Sequence, residues 1–201
     1  MTIEDTVRLR ISLEEIEPEI WRRVDVPLDM PLKGLHDVIQ AAFGWEDYHL
    51  FEFRVGEKLY GIPDPEAEFW GRKVMNAKTT KLRAILDRGV EAFTYVYDFG
   101  DDWHHRVVVE AFGTADPNVA HPRLLDGERR GPPEDVGGVP GYFDILEAAT
   151  TPGHPDHQRL LTWYGGPYDP DDIGERVIRL RLGMIAKRRK AGKAAYAKRR
   201  S

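Results

Sequence analysis

Between Tyr97 and His105 the chain reads Tyr97-Asp98-Phe99-Gly100-Asp101-Asp102-Trp103-His104-His105, with three carboxylates, two imidazoles and three aromatic rings in nine residues. Carboxylates and imidazoles at this density can ligate a divalent metal, and a metal so held activates water for hydrolysis. Asp98, Asp101 and His105 are the candidates inside the run, with His49, Glu134 and Asp135 as further ligands from elsewhere. On a strand, Trp103 and His105 share one face and His104 takes the other. Asp101 then lies near His105 at a hairpin tip, placed to orient its imidazole. A plainer reading stands beside this one. Aspartates at turns bind their own backbone, and Trp beside His is ordinary sheet packing. The run matches no established ligand spacing such as His-Glu-x-x-His.

Other chemistries are excluded by composition. The chain has no cysteine, so disulfides, thiolate metal sites and thiol nucleophiles are absent. Its serines are Ser12, inside an expected strand, and Ser201, the last residue, and neither is placed as an activated nucleophile. Gly137-Gly138-Val139-Pro140-Gly141 is rich in glycine but lacks a Walker lysine and a preceding strand.

The elements that must position these residues are readable from periodicity. Val7, Leu9, Ile11 and Leu13 alternate with polar residues as a half-buried strand, and Ile20–Val26 is its antiparallel partner, ended by Pro27. Trp21 reads as a packing anchor. Leu32, Leu35, Val38, Ile39, Ala42 and Phe43 form a helical stripe, with Asp29 as cap, Gly44 as stop and His36 as a structural histidine beside the stripe. Strands follow at 50–55 and 59–62, then an irregular excursion over 63–76 that Phe69 and Trp70 are expected to pin to the body. After a short helix at 81–86, strands at 92–97 and 106–111 flank the opening run and make it a hairpin tip. Residues 113–141, with five prolines, read as one long loop, followed by helices near 142–149, 155–164 and from Asp171-Asp172 onward. The expected fold is α+β: a mixed, mainly antiparallel sheet with packed helices, β-grasp-like at the N-terminus, plus C-terminal helices. One domain covers 1–186, and 187–201 is a basic C-terminal tail.

That tail carries eight basic side chains and no acid in residues 187–200, against a whole-chain net charge of −5. The body is therefore more acidic than the total, and only the tail, led by Lys187, Arg188, Arg189 and Lys190, suits nucleic acid or an acidic protein partner. No apolar run approaches the ~20 residues that span a bilayer, so no membrane partner is expected. The acidic start lacks a secretory pattern, and a cytoplasmic location is the expectation.

Several segments together resemble the plasmid pRi ORF-three-like family, also met as passenger proteins of insertion elements. They are Ile20-Trp21-Arg22-Arg23; Leu35 through Trp45 with His49-Leu50; Tyr97 through His105; and Leu125 through Arg129 with Pro132 through Gly138. The resemblance implies an α+β fold and a mobile-element association, without a reaction. Some members carry loop cysteines near Leu125, Gly131 and Val136, which this chain lacks. Some carry a resolvase label, which the serines here do not support, nor does any His-x-x-Arg element of a tyrosine recombinase. The sequence thus favours a binding or interaction module whose recognition surface is the 97–105 tip and the 125–141 loop. Asp98, Asp101, Trp103, His105, His49, Glu134 and Asp135 are its candidate residues. No cofactor is expected apart from a divalent metal, for which Asp101 and His105 are the candidates. A metal-dependent hydrolase and non-specific nucleic-acid binding by the tail are the alternatives.

Overall fold

The structure, a computed structural model, describes residues 5–199. Met1 to Glu4, Arg200 of the basic tail and Ser201 lie outside the described residues. Strands β1 (Asp5–Leu13), β2 (Trp21–Pro27), β3 (Phe51–Val55), β4 (Lys58–Gly61), β5 (Val74–Asn76), β6 (Ala92–Tyr97), β7 (Trp103–Thr114) and β8 (Arg123–Glu128) form one sheet. Its order is β5-β4-β3-β6-β7-β1-β2-β8. Every neighbouring pair is antiparallel except β4 and β5. The mixed, mainly antiparallel α+β class is as the alternation predicts. The opening strand-strand-helix-strand order is present, with β3 separated from β1 by β6 and β7.

Helix α1 (Leu32–Phe43) buries Leu32, Leu35, Val38, Ile39 and Ala42, each removal of such a side chain from water being worth about 1.5–3 kcal/mol for the larger ones. It stops at Gly44, whose φ of 88° is the left-handed conformation that ends helices. Asp29 is not its cap. The helix begins after Pro31 without a side-chain cap, and Asp29 instead accepts from Arg83 Nε at 3.0 Å. Helices α2 (Pro65–Phe69), α3 (Arg83–Leu86), α4 (Gly138–Thr150), α5 (His157–Tyr164) and α6 (Glu175–Lys198) complete the chain. The core joins the inward side of the sheet and α1 to Leu86 of α3, Ile145 of α4 and Ile178, Leu182 and Ile185 of α6.

Two further expectations need correction. The 113–141 stretch is not one loop, because β8 lies within it. Asp126-Gly127 imitates a turn, yet Gly127 is there for close approach: a β-carbon would sit 2.8 Å from the Arg22 side chain and 2.9 Å from the Trp21 carbonyl. The 63–76 excursion contains α2 and β5, and Phe69 and Trp70 do not pin it. Both rings are exposed and pack edge to face on each other, 5.3 Å between centroids, while pairing of β5 with β4 ties the excursion down. Helix α6 runs without interruption through residues 186 and 187 to Lys198.

Arg22 points into the core from β2 and is fully buried. Its Nε donates to the Ala42 carbonyl in the last turn of α1 (2.8 Å), and its Nη1 donates to the carbonyls of Trp21 (2.8 Å) and Glu128 (2.9 Å). A cation is favoured at a helix C-terminus, where the carbonyl dipoles converge. Burial nonetheless pushes its pKa down to about 10. At the far edge of the sheet, α6 packs beside β8 and Arg179 donates to the Leu124 carbonyl at 3.0 Å.

Candidate functional site

The site is built where three segments distant in sequence meet. The first is the β6–β7 tip. Tyr97 pairs with Trp103 to close the hairpin, and Asp98 and Asp102 turn it with φ of 54° and 55°. Aspartate tolerates this left-handed conformation better than most residues because its short carboxylate bonds locally. Asp98 Oδ1 accepts the Gly100 N–H at 2.9 Å, and its Oδ2 is left facing His49 Nε2 at 3.5 Å.

The second segment, 44–50, is brought alongside by the β3–β6 register. Phe51 pairs with Tyr97, and the Asp98 N–H donates to the Leu50 carbonyl at 2.9 Å. Trp45 is fully buried, stacks on Tyr97 at 5.0 Å, and donates its Nε1–H to the Pro132 carbonyl at 2.9 Å. That bond draws in the third segment, 131–138.

Glu134 Oε1 accepts the Tyr97 hydroxyl (2.9 Å) and the Glu46 N–H (2.7 Å), while the Tyr97 oxygen accepts the Tyr48 N–H at 3.1 Å. Burial, then the neighbouring Glu134 carboxylate, pushes the Tyr97 phenol up. Burial likewise raises Glu134, against the opposing pull of the Glu46 N–H. Asp135, at φ 55°, accepts from His49 Nε2 at 2.8 Å. Asp101 Oδ2 accepts the Gly137 N–H at 3.1 Å, at the start of α4. Gly138 must be glycine there, since its φ is +68° and a β-carbon would meet the Asp101 carbonyl at 2.8 Å.

The result is a His49–Asp98–Asp135 cluster whose ligand atoms lie within 4.8 Å of one another. Two carboxylates this close repel each other, which favours a positive charge between them. Tyr48, Leu50 and Phe99, neighbours of these residues in sequence, are exposed around it.

Asp101 and His105 do not come together as the sequence suggested. The β7 register places His105 opposite Leu13 and Tyr95, on the core face and inside the Tyr97–Trp103 pair. Its ring is fully buried among Phe43, Trp45 and Tyr95, with centroids 4.8, 5.1 and 5.3 Å away. Burial pushes its pKa down to about 3, against the smaller opposing pull of the Tyr95 and Trp103 backbone. Trp103 is buried against Trp45 at 6.2 Å. The imidazole at the surface site is His49.

A second grouping, His36, Asp37 and Asp47, holds its own cation already. Lys33 Nζ donates to Asp37 (2.7 Å) and Asp47 (2.9 Å). His36 is buried in a relay from Asp47 (Nε2, 2.7 Å) to the Tyr95 hydroxyl (Nδ1, 2.8 Å), and burial pushes it down to about 4. A neutral imidazole donating to Asp47 and accepting from Tyr95 satisfies both bonds. Tyr95 and Asp47 were not marked by sequence reasoning, and Tyr97 was marked only as part of the hairpin-tip run. The one available signal was the pairing of strands 50–55 and 92–97, which sets His49 beside Asp98.

Comparison with known proteins agrees with this architecture. The family model described as plasmid pRiA4b ORF-3-like protein matches residues 5–176. The chain is 41% identical over 168 residues to "Uncharacterized protein y4hQ" of Sinorhizobium fredii (strain NBRC 101917 / NGR234), covering 81% of this chain and 82% of that one. The crystal structure of a protein of unknown function, MM3350 from Methanosarcina mazei Go1, superposes with a TM-score of 0.78 at 33% identity, covering 88% of this chain and 97% of that chain. The ordered segments that suggested the family, from Ile20-Trp21-Arg22-Arg23 to Gly138, fall within the match, and the chain belongs to the plasmid pRiA4b ORF-3-like protein family.

Proposed function

We propose that the protein is a binding module of its family, whose recognition surface is the His49–Asp98–Asp135 cluster with its exposed rim of Tyr48, Leu50 and Phe99. The observation that supports this reading is the convergence of residues 45–50, 97–103 and 131–138 on one surface, fixed by the Tyr97–Glu134, Asp101–Gly137 and Trp45–Pro132 bonds. A surface assembled from a rigid hairpin and a tied-down loop is pre-organised, which lowers the ordering cost of association. A photo-crosslinking residue at Phe99 is expected to capture a partner in cells that one at Phe112, on the distant end of β7, does not. Adding His49→Ala and Asp135→Ala is expected to abolish that product. An identical pattern from both positions would remove the reading.

A second reading is favoured by the ligand distances alone: a divalent cation bound by His49, Asp98 and Asp135, serving a hydrolase. One imidazole and two carboxylates fit Zn²⁺, a borderline ion, better than Ca²⁺, which takes oxygen ligands alone, with the hard ion Mn²⁺ between them. Such an ion would polarise a substrate oxygen or lower the pKa of a bound water. Titration calorimetry of untagged protein with each ion decides it. Stoichiometric binding lost in Asp135→Asn supports the site, and heat that is unchanged in the variant counts against it.

A further inference from the structure

The longest helix of the protein touches the surface just described through Arg181, which donates to the Trp45 carbonyl and to Glu46. Helix α6 carries one acid, Glu175, and nine basic residues between Glu175 and Lys198. Its buried residues, Ile178, Leu182, Ile185 and Ala186, lie on one side. At 3.6 residues per turn, Arg176, Lys187 and Lys198 fall on the opposite side, and Lys190 lies on its flank. Leu180 and Met184 are exposed between Arg176 and Lys187, whereas beyond Lys187 only Ala191 and Ala194 stand between the cations, so the face is cationic and shallow over its C-terminal half. Arg176, Lys187 and Lys190 are exposed. At 1.5 Å per residue the stripe is about 33 Å long. The segment expected to be a tail is thus a preformed helix continuous with a buried one, and its charges are held in a fixed row.

The chemistry of this face selects among partners. The outward side has no apolar stripe over its last three turns, which a helix lying in a lipid interface requires. A row of fixed cations suits instead a polymer of regularly spaced phosphates. We propose that the outward face of α6 binds the phosphodiester backbone of duplex nucleic acid, without reading sequence. The charge left on the rest of the chain opposes this contact, since removing the eight basic residues of 187–200 from a net charge of −5 leaves a more acidic body. Binding is therefore confined to the helix, weak at physiological salt and strongly salt-dependent. The α1 side of α6 is differently composed. There Asp37 and Asp47 line an open groove of about 680 Å³ with Arg181, Lys187 and Arg188, and Arg181 already pairs with Glu46 at 3.4 Å, so acid on this side opposes phosphate and Lys187 stands at the rim between the two sides.

Fluorescence anisotropy with a labelled duplex of roughly 20 base pairs, as DNA and as RNA, tests the proposal on the full chain at about 50 mM and about 200 mM salt. Binding to either duplex at the lower salt, falling by at least about tenfold at the higher, is expected. Charge reversal in Lys187→Glu with Lys190→Glu should weaken it by about tenfold or more and make the logarithmic salt slope shallower by about 2. Circular dichroism of that variant checks that α6 is retained, and Lys187→Gln with Lys190→Gln gives the same direction if reversal unfolds it. His49→Ala with Asp135→Ala should leave duplex binding unchanged, which separates this inference from the surface above. Absence of duplex binding at the lower salt, affinity untouched by both pairs of substitutions, or binding to phosphatidylserine vesicles alone would overturn it.

Discussion

Arg22→Met is expected to lower the free energy of unfolding by about 3 kcal/mol, because it strips one buried and two part-buried carbonyls of this donor, the buried one at about 1–3 kcal/mol, and regains part of this by removing a buried charge. The carbonyls belong to Trp21, Ala42 and Glu128, in β2, α1 and β8. No methionine conformer replaces those bonds. Lysine fares little better, since a single ammonium on a flexible stem does not span the directions that the planar guanidinium serves at once. Urea denaturation followed by circular dichroism reads the loss directly, as a lower midpoint at unchanged slope. At this chain length the thermal midpoint should fall by roughly 6–12 °C. A variant as stable as the parent would show that the three carbonyls find other donors and that Arg22 is not the pin between these elements.

The second large effect is loss of stability in mild acid. His36 and His105 are neutral in the fold, pushed by burial to about 4 and about 3. An unfolded chain protonates both near pH 6.5. Above that value neither state carries the protons and stability is flat in pH. As the pH falls through 6.5, the unfolded chain gains protons that the folded chain refuses, so stability falls until each folded pKa is reached. At about 1.4 kcal/mol per unit, His36 removes about 3 kcal/mol by pH 4 and His105 somewhat more by pH 3. Asp47 acts in a lower window. Its burial would raise it, but the bonds to Lys33 and His36 hold it below the ordinary value, so its contribution is lost only as it protonates. Comparing urea midpoints at about pH 7 and about pH 4.5 reads the histidines, with Glu134, which burial raises, acting in the opposite direction in the same window. His105→Phe, which keeps an aromatic ring among Phe43, Trp45 and Tyr95, should recover about half of the difference. Equal midpoints at the two pH values in the parent protein would refute the assignment.

The alternation of Val7, Leu9 and Ile11, the α1 stripe and the β6–β7 hairpin were legible because each is a local pattern with one buried face. What was not legible has physical causes of two kinds. β8 was hidden because Asp126-Gly127 serves a close approach to Arg22 and only resembles a turn. The site was half legible: Asp98, His49, Glu134 and Asp135 were identifiable by type, but their grouping depends on register. Pairing of Phe51 with Tyr97 sets His49 beside Asp98, whereas His105, two residues past the closing pair, is turned inward. A period of two distinguishes faces but does not say which face is core when both carry aromatic residues. Several segments that carried the family resemblance hold the pins: Arg22, Trp45, Gly127 and Gly138 are each fixed by a bond or a close approach. That gives these positions a structural reason without assigning them a reaction.

The contact between α6 and β8 has one more implication. A terminal strand offers an unpaired row of backbone groups to any passing chain, and the sheet would end in such a row at β8. Arg179 occupies the Leu124 carbonyl, and the helix lies beside the strand. The helix that turns its charges outward is thus also the guard on an open border of the sheet. Anything that lifts α6 away, a protease cut or a charged polymer pulling on its outer side, would uncover a template for strand addition, and the cationic face and the solubility of the fold are bound to one element.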